Sequence, residues 1–150
     1  MNAQAPATRS RLVVADDHGP MVRLLQHLLA QEFDVVGTAA DGSIALHAAA
    51  RLDPDAVVLD ISMPNVDGIE VARRLRAAGS KAKVIMLTVH DDPDFLRAAL
   101  DAGALGYVLK SRLRADLIPA IRAALAGRIF VSPVKGHPDP WQGIDDDADW

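Results

Sequence analysis

Five polar residues stand at the ends of short aliphatic runs, and their types could do chemistry together. They are Asp16, Asp17, Asp60, Thr88 and Lys110. If the aliphatic runs are parallel strands, their carboxyl ends meet at one edge of the sheet, where such sheets form their binding sites. Two carboxylates about 5 Å apart repel each other by roughly 3 kcal/mol at an effective dielectric constant near 20. Three carboxylates at one edge therefore require cations.

The cations that could neutralise these carboxylates would also bind the oxygen atoms of a phosphoryl group. Lys110 supplies one positive charge, and a ligand set made only of oxygen atoms suits Mg²⁺. A metal and a lysine would neutralise the phosphoryl oxygens, the Thr88 hydroxyl would bind one of them, and a carboxylate could be the in-line nucleophile. The chain has no cysteine, and no two of its five histidines have the spacing of zinc ligands.

The elements that must position these residues alternate regularly along the chain. Five continuous aliphatic runs, typical of strands buried on both faces, lie at 12–15, 35–39, 56–59, 84–87 and 107–109. Five segments with helical spacing of apolar residues lie at 21–32, 43–52, 69–78, 93–102 and 114–126. This order predicts an α/β fold with a doubly wound, five-stranded parallel sheet and five helices.

Glycine and proline mark the ends of the predicted helices. Gly79, Gly103 and Gly127 each follow a helical segment, where a glycine in the left-handed conformation commonly ends a helix. Pro119 lies inside the last helical segment, where an interior proline costs about 3 kcal/mol. We therefore expect the regular part of that helix to begin close to Pro119.

Length and composition limit the classes of protein. The 150 residues are enough for one domain, and half of them are apolar. No apolar run approaches the roughly 18 residues of a membrane helix, and the first ten residues lack the apolar stretch of a signal peptide. We expect a cytoplasmic protein that does not bind membranes.

The charge is concentrated at the C-terminus. Residues 131–150 contain five aspartates and one lysine, a charge of −4 that equals the net charge of the whole chain. The remainder is neutral and has no clustered excess of positive charge, which argues against nucleic-acid binding. The acidic tail also holds both tryptophans and few aliphatic residues, so we predict that it is mostly disordered.

Four segments of the chain closely resemble the receiver domain of two-component response regulators. They read VVADDH at 13–18, DISMPNVDG at 60–68, MLT at 86–88 and AGALGYVLK at 102–110. The segment GRIFVSP at 127–133 is similar to the end of a NarL/FixJ-type receiver. The resemblance implies a flavodoxin-like sheet with strand order 2-1-3-4-5. The receiver would span residues 10–130, after a flexible N-terminus at 1–9 and before the tail at 131–150.

The resemblance also implies a role for each residue of the acidic site. Asp60 would accept the phosphoryl group. Asp16, Asp17 and Asp60 would bind Mg²⁺ together with the backbone carbonyl of Ser62, and Lys110 would pair with the phosphoryl group. Asp67 and Gly68, in the same motif, are interpreted as turn and helix-start residues rather than catalytic ones.

Four further assignments concern the response to phosphorylation. Thr88 would turn its hydroxyl onto a phosphoryl oxygen, and Tyr107 would change rotamer in concert. Ser62 and His90 could tune the hydrolysis of the acyl phosphate. The alternatives are simple packing for Thr88, a core position for Tyr107 and an exposed loop position for His90.

The expected function is that of a phosphorylation-activated signalling domain rather than an enzyme. The phosphoryl donor would be a sensor histidine kinase or a phosphotransfer protein, and the output would be contact with an unknown downstream protein or a homodimer. NarL/FixJ-type regulators carry a DNA-binding domain after the receiver, and about twenty residues follow Phe130 here. The chain would therefore be a stand-alone receiver or the receiver fragment of a longer regulator. A non-phosphorylated scaffold is the further alternative.

A magnesium-dependent phosphatase is a less suitable interpretation. Such an enzyme usually needs a second acid two residues after its nucleophilic aspartate and a cap over the substrate. The chain has Ser62 at that position, and it contains no insertion long enough for a cap.

Overall fold

The computed structural model describes residues 8–134. The predicted flexibility of the first residues, and the predicted disorder of the tail with its aspartates and tryptophans, concern residues that lie largely outside this range. No described helix has the length and apolar character needed to cross a bilayer.

The described chain alternates strands and helices as predicted. The strands are β1 (Arg11–Ala15), β2 (Asp34–Ala39), β3 (Ala56–Leu59), β4 (Lys83–Thr88), β5 (Gly106–Leu109) and β6 (Phe130–Val131). The α-helices are α1 (Gly19–Leu29), α2 (Gly42–Leu52), α3 (Gly68–Ala77), α4 (Pro93–Asp101) and α5 (Leu113–Leu125). A single 3₁₀ turn, Lys110–Arg112, separates β5 from α5. The α/β class and the five α-helices are confirmed.

All strands pair in parallel, in the order β2-β1-β3-β4-β5-β6. The prediction of five strands was wrong, because a two-residue sixth strand extends the edge beside β5. Sequence periodicity does not reveal so short a strand, since two residues cannot show a pattern. The structured region also continues past residue 130, with Val131, Ser132 and Val134 buried.

Two apolar layers cover the sheet. On one face, Val57 and Met86 pack with α2, α3 and α4. On the other face, Val58 and Ile85 pack with α1 and α5. Successive side chains of a strand point to opposite faces, so burying both faces requires the continuous aliphatic runs seen in the sequence.

The helix ends match their local sequence, but Pro119 does not act as predicted. Gly79, Gly103 and Gly127 all have positive φ angles, of 76°, 104° and 79°. Helix α5, however, begins at Leu113 and runs through Pro119 instead of starting near it. Pro119 is exposed, as is Ala115, whose carbonyl loses its amide donor. Water can satisfy such a carbonyl, which lowers the cost of an interior proline.

Candidate functional site

The sheet register brings the predicted site residues to one edge. Ala15 of β1 lies opposite Leu59 of β3, so the next residues, Asp16 and Asp60, leave the sheet side by side. On the neighbouring pair, Thr88 of β4 lies opposite the last residue of β5, which Lys110 follows. Four residues that are distant in sequence therefore meet at the carboxyl end of the sheet.

Lys110 lies between two buried carboxylates. Its Nζ atom is 2.8 Å from Oδ2 of Asp16 and 3.0 Å from Oδ2 of Asp60. The contact with Asp60 is a hydrogen bond. The contact with Asp16 is an ion pair by distance, but it lacks hydrogen-bond geometry and leaves the buried Asp16 Oδ2 without a hydrogen-bond partner. One positive charge thus faces two negative charges, so the ammonium group compensates the two carboxylates only in part.

The surroundings shift the pKa values of Asp60 and Lys110. Burial raises the pKa of the Asp60 carboxyl above its ordinary value, and the neighbouring Asp16 adds to this, although Lys110 acts in the opposite direction. Burial lowers the pKa of Lys110, but its contacts with Asp16 and Asp60 outweigh burial, so the net pKa is raised. Lys110 is therefore held in its charged form beside a carboxylate that is costly to ionise.

The acidic cluster has the donors of a magnesium site. Asp16, Asp17 and Asp60 each offer a carboxylate oxygen, and these atoms lie within 4.8 Å of one another. Asp17 is exposed, so one side of the cluster is open to solvent. The other oxygen of Asp16 accepts a hydrogen bond from the His18 amide at 2.8 Å, which orients its carboxylate. An oriented set of oxygen donors, one of them buried without a hydrogen bond, fits Mg²⁺ with bound waters.

The loop after β3 holds Asp60 by close backbone packing. The Ser62 amide donates to Oδ1 of Asp60 at 3.2 Å. A Cβ atom at Gly68 would lie 2.3 Å from the Asp60 carbonyl oxygen, so only glycine fits there. Asp67 caps α3 by accepting from the Glu70 amide at 2.8 Å, in agreement with its interpretation as a helix-start residue. The contact of Gly68 with the predicted acceptor is not visible in the sequence, because the loop must fold before the two residues meet.

Thr88 and Tyr107 meet at the backbone of His90. Thr88 is fully buried, and its Oγ1 accepts from the His90 amide at 3.1 Å. The hydroxyl of Tyr107, also fully buried, donates to the His90 carbonyl at 2.7 Å. Burial raises the pKa of Tyr107, with Asp92 and Asp91 adding to the shift, so its hydroxyl remains a donor. The backbone of His90, bound at its amide by one residue and at its carbonyl by the other, connects Thr88 and Tyr107 in a way that sequence spacing does not show.

The His90 side chain joins the loops beside the acidic cluster. Its Nε2 lies 2.7 Å from Oγ of Ser62, and its ring stacks on Phe95 with centroids 4.1 Å apart. His90 is half-buried rather than freely exposed. Phe95 was not among the predicted site residues, because an aromatic residue near the start of a helix carries no signal of its own.

Comparisons with known proteins agree with this geometry. Residues 12–122 match the family model of the response regulator receiver domain. The chain is 33% identical over 139 residues to the transcriptional regulatory protein DegU of Brevibacillus brevis, covering 91% of this chain and 59% of DegU.

Two solved structures show the same architecture. The signal receiver domain of the putative response regulator NarL from Mycobacterium tuberculosis aligns with a TM-score of 0.78 at 33% identity, covering 81% of this chain and 99% of that one. The isolated REC domain of RcsB from Salmonella enterica serovar Typhimurium, determined in the presence of phosphomimetic BeF₃⁻, gives 0.76 at 28% identity, covering 83% and 94%. The chain spans about three fifths of the length of the curated relatives it matches.

Proposed function

Because this chain belongs to the response regulator receiver domain family, we propose that it is a switch that accepts a phosphoryl group on Asp60 and signals through protein contacts. The observation that carries the proposal is the convergence of Asp60 with Asp16, Asp17 and Lys110 at one edge of the sheet. A scaffold without phosphoryl chemistry has no need of a buried carboxylate pair bridged by a lysine.

The proposed step is displacement at phosphorus. A carboxylate oxygen of Asp60 attacks the phosphorus atom of the donor, the bond from phosphorus to the leaving group breaks, and an aspartyl phosphate forms. With acetyl phosphate the leaving group departs as acetate. With a phosphohistidine donor it is an imidazole nitrogen, which takes up one proton. The chain positions the acceptor and stabilises charge, and it is a signalling domain rather than a classical enzyme.

The residues of the acidic cluster would hold Mg²⁺. Receiver domains generally bind this ion at such a cluster, and Asp16, Asp17 and Asp60 are the side chains that would do so here, with the Ser62 carbonyl as a further ligand. When bound, the ion supplies positive charge that screens the carboxylates from the incoming phosphoryl oxygens.

The hydrogen bonds around His90 provide a route by which phosphorylation would change the conformation of the protein. If the Thr88 hydroxyl turns to donate to a phosphoryl oxygen, the His90 amide loses its acceptor. The carbonyl of the same residue accepts from the Tyr107 hydroxyl, so a movement of the His90 backbone would release that hydroxyl as well. The loop between β4 and α4 would then shift, and the change would reach the α4–β5–α5 face.

Ser62 and His90 would set the lifetime of the acyl phosphate. Their side chains are hydrogen-bonded to each other, and Ser62 also contacts Asp60 through its amide. Groups in this position can guide or block the water molecule that attacks the phosphoryl group.

The partners in the proposal follow from the chemistry. A sensor histidine kinase or a phosphotransfer protein would donate the phosphoryl group. A downstream protein or a second copy of the chain would bind the α4–β5–α5 face, and nucleic acid would not bind through this domain. The same site would operate whether the chain acts alone or as the receiver of a longer regulator.

Intact-mass measurement tests the proposal directly. Incubation with acetyl phosphate and Mg²⁺ is expected to add one phosphoryl group, and EDTA is expected to prevent the addition because the carboxylates then repel the anionic donor. If acetyl phosphate gives no adduct, and the NMR spectrum is also unchanged by Mg²⁺ with beryllofluoride, the scaffold alternative replaces the proposal.

A Thr88→Ala variant is expected to separate phosphoryl binding from its readout. Beryllofluoride and Mg²⁺ should still shift the amide resonances around Asp60, whereas the shifts at Tyr107 and in α4 should be lost, because no hydroxyl is available to leave the His90 amide. Thr88→Ser keeps the hydroxyl and should respond like the wild type. Equal responses of the alanine variant and the wild type at Tyr107 would contradict this mechanism.

A further inference from the structure

Two buried polar residues lie outside the site described above. In the range 8–134, the buried polar side chains are Asp16, Asp60, Thr88, Asp116 and Ser132. The first three belong to the acidic cluster and its loop. Burying a carboxylate costs free energy unless it is well paired, so Asp116 and Ser132 require an explanation.

Asp116 and Ser132 form one hydrogen-bonded pair. The Ser132 hydroxyl donates to Oδ2 of Asp116 at 2.6 Å and accepts from the Leu109 amide at 3.2 Å. Arg112 donates through Nε to the same carboxylate at 2.6 Å. A hydroxyl has one proton to donate and lone pairs to accept with, so all three contacts are compatible.

The Ser132 side chain completes the edge of β5 where the backbone pairing stops. β6 pairs with β5 at Gly106 and Tyr107, and the Ser132 amide then donates to the Tyr107 carbonyl at 2.8 Å. Beyond this point the Leu109 amide donates to the Ser132 hydroxyl instead of to a backbone carbonyl. The side chain therefore holds the last residue of β5.

Ser132 and Asp116 bind residues on either side of Lys110 in the chain. Leu109, which precedes it, is bound by Ser132, and Arg112, two residues after it, is bound by Asp116. The 3₁₀ turn that starts at Lys110 is thus contacted before its start through a backbone amide and at its end through the Arg112 side chain. These contacts restrain the segment from which the ammonium group reaches Asp16 and Asp60.

We propose that Ser132 and Asp116 are positioning residues for Lys110, which makes the segment after α5 part of the phosphoryl-transfer site. The inference rests on the proposed function of Lys110 in binding the phosphoryl group. Ser132 lies beyond residues 12–122, which match the family model. The phosphoryl-transfer site therefore depends on a residue outside the region that the family model covers.

The test compares Ser132→Ala with the wild type by two readouts. One is the rate of phosphorylation at saturating acetyl phosphate and Mg²⁺, which should fall roughly tenfold to hundredfold, as expected for a misplaced catalytic group. The other is acetylation of Lys110 by acetic anhydride, mapped by mass spectrometry. It should increase relative to Lys81 and Lys83 in the same sample, because Lys110 leaves its carboxylate partners more often.

Three controls separate positioning from general loosening. Ser80→Ala removes a hydroxyl that also accepts a hydrogen bond from a backbone amide, here that of Ala82. Ser80 lies at the opposite end of the sheet from the acidic cluster. It should leave both readouts unchanged. Ser132→Thr retains the hydroxyl and should recover most of the rate. The Mg²⁺ affinity of Ser132→Ala should be equal to or higher than that of the wild type, since the carboxylates are not moved and the competing ammonium group lies beside them less often.

Several results would overturn the inference. A rate within twofold of the wild type would do so, as would an unchanged acetylation of Lys110 or a fall in Mg²⁺ affinity that accounts for the slower rate. If Ser132→Ala does not fold, Asp116→Asn is judged by the same readouts, and wild-type behaviour there rejects the inference. If the wild type itself gains no phosphoryl group, Lys110 acetylation alone decides whether Ser132 positions this lysine. The proposed function fails as well if Mg²⁺ with beryllofluoride also leaves the wild-type NMR spectrum unchanged.

Discussion

Replacing Asp60 with asparagine is expected to abolish the phosphoryl adduct that the wild type forms with acetyl phosphate and Mg²⁺. The amide of asparagine is not a nucleophile toward phosphorus, and Asp60 is the aspartate that lies both beside Lys110 and against the loop held by Gly68. Intact mass after a fixed incubation measures the result. A single adduct of undiminished yield on Asp60→Asn would place the acceptor elsewhere and contradict the proposed role.

The matched control is Asp67→Asn in the same loop. Asp67 is exposed and caps α3, and asparagine is an equally good capping residue. This variant should be phosphorylated like the wild type. The pair of variants makes the same chemical change seven residues apart, so a difference between them cannot come from the change of charge alone.

Asp60→Asn should also keep the fold intact. Burial raises the pKa of Asp60, which means that folding binds its proton more tightly and that ionisation at neutral pH works against the folded state. The neutral asparagine removes this cost, and Lys110 retains Asp16 as a partner. Urea unfolding in EDTA at neutral pH should therefore give a free energy of unfolding at least equal to that of the wild type.

Replacing Lys110 with methionine should have the opposite effect on stability and a large effect on phosphorylation. Without the ammonium group, the buried carboxylates of Asp16 and Asp60 lose their cation, and we expect the free energy of unfolding in EDTA to fall by about 1–3 kcal/mol. Mg²⁺ should restore part of this stability by supplying charge to the same carboxylates. The phosphorylation rate should fall on the order of a hundredfold, as when one charge-stabilising donor is removed from a site.

Lys83→Met serves as the control for this prediction. Lys83 is half-buried at the amino end of β4, at the other edge of the sheet from the acidic cluster. Its replacement should change neither the phosphorylation rate nor the extent of stabilisation by Mg²⁺. If Lys110→Met is as stable as the wild type in EDTA and is phosphorylated at the same rate, Lys110 does not compensate the carboxylates in the way proposed.

Much of this protein could be predicted from local sequence. Each aspartate of the acidic cluster, like Thr88 and Lys110, ends a buried strand or lies within two residues of its end, so its position at the carboxyl edge depends only on recognising an aliphatic run. The continuous apolar runs reflect burial on both faces of a parallel sheet. The left-handed glycines at helix ends are equally local, because the required φ angle belongs to a single residue.

Other features depend on contacts between residues that are far apart in sequence. Strand β6 forms because Phe130 and Val131 pair with the free edge of β5. Helix α5 continues through Pro119 because that side of the helix faces water. Neither outcome is visible in two residues or in one proline. Both depend on where the neighbouring element lies.

The sequence alone determined the class of fold, the identity of the acidic cluster and the type of chemistry it can do, since these depend on residue types next to strand ends. Only the tertiary structure decided how those residues are held. It placed Gly68 against Asp60, joined Thr88 and Tyr107 through the His90 backbone, and brought Ser132 to the residue before Lys110. A hydrogen bond or a close contact depends on distance in space, and parallel strands with crossover helices bring together residues that the sequence separates.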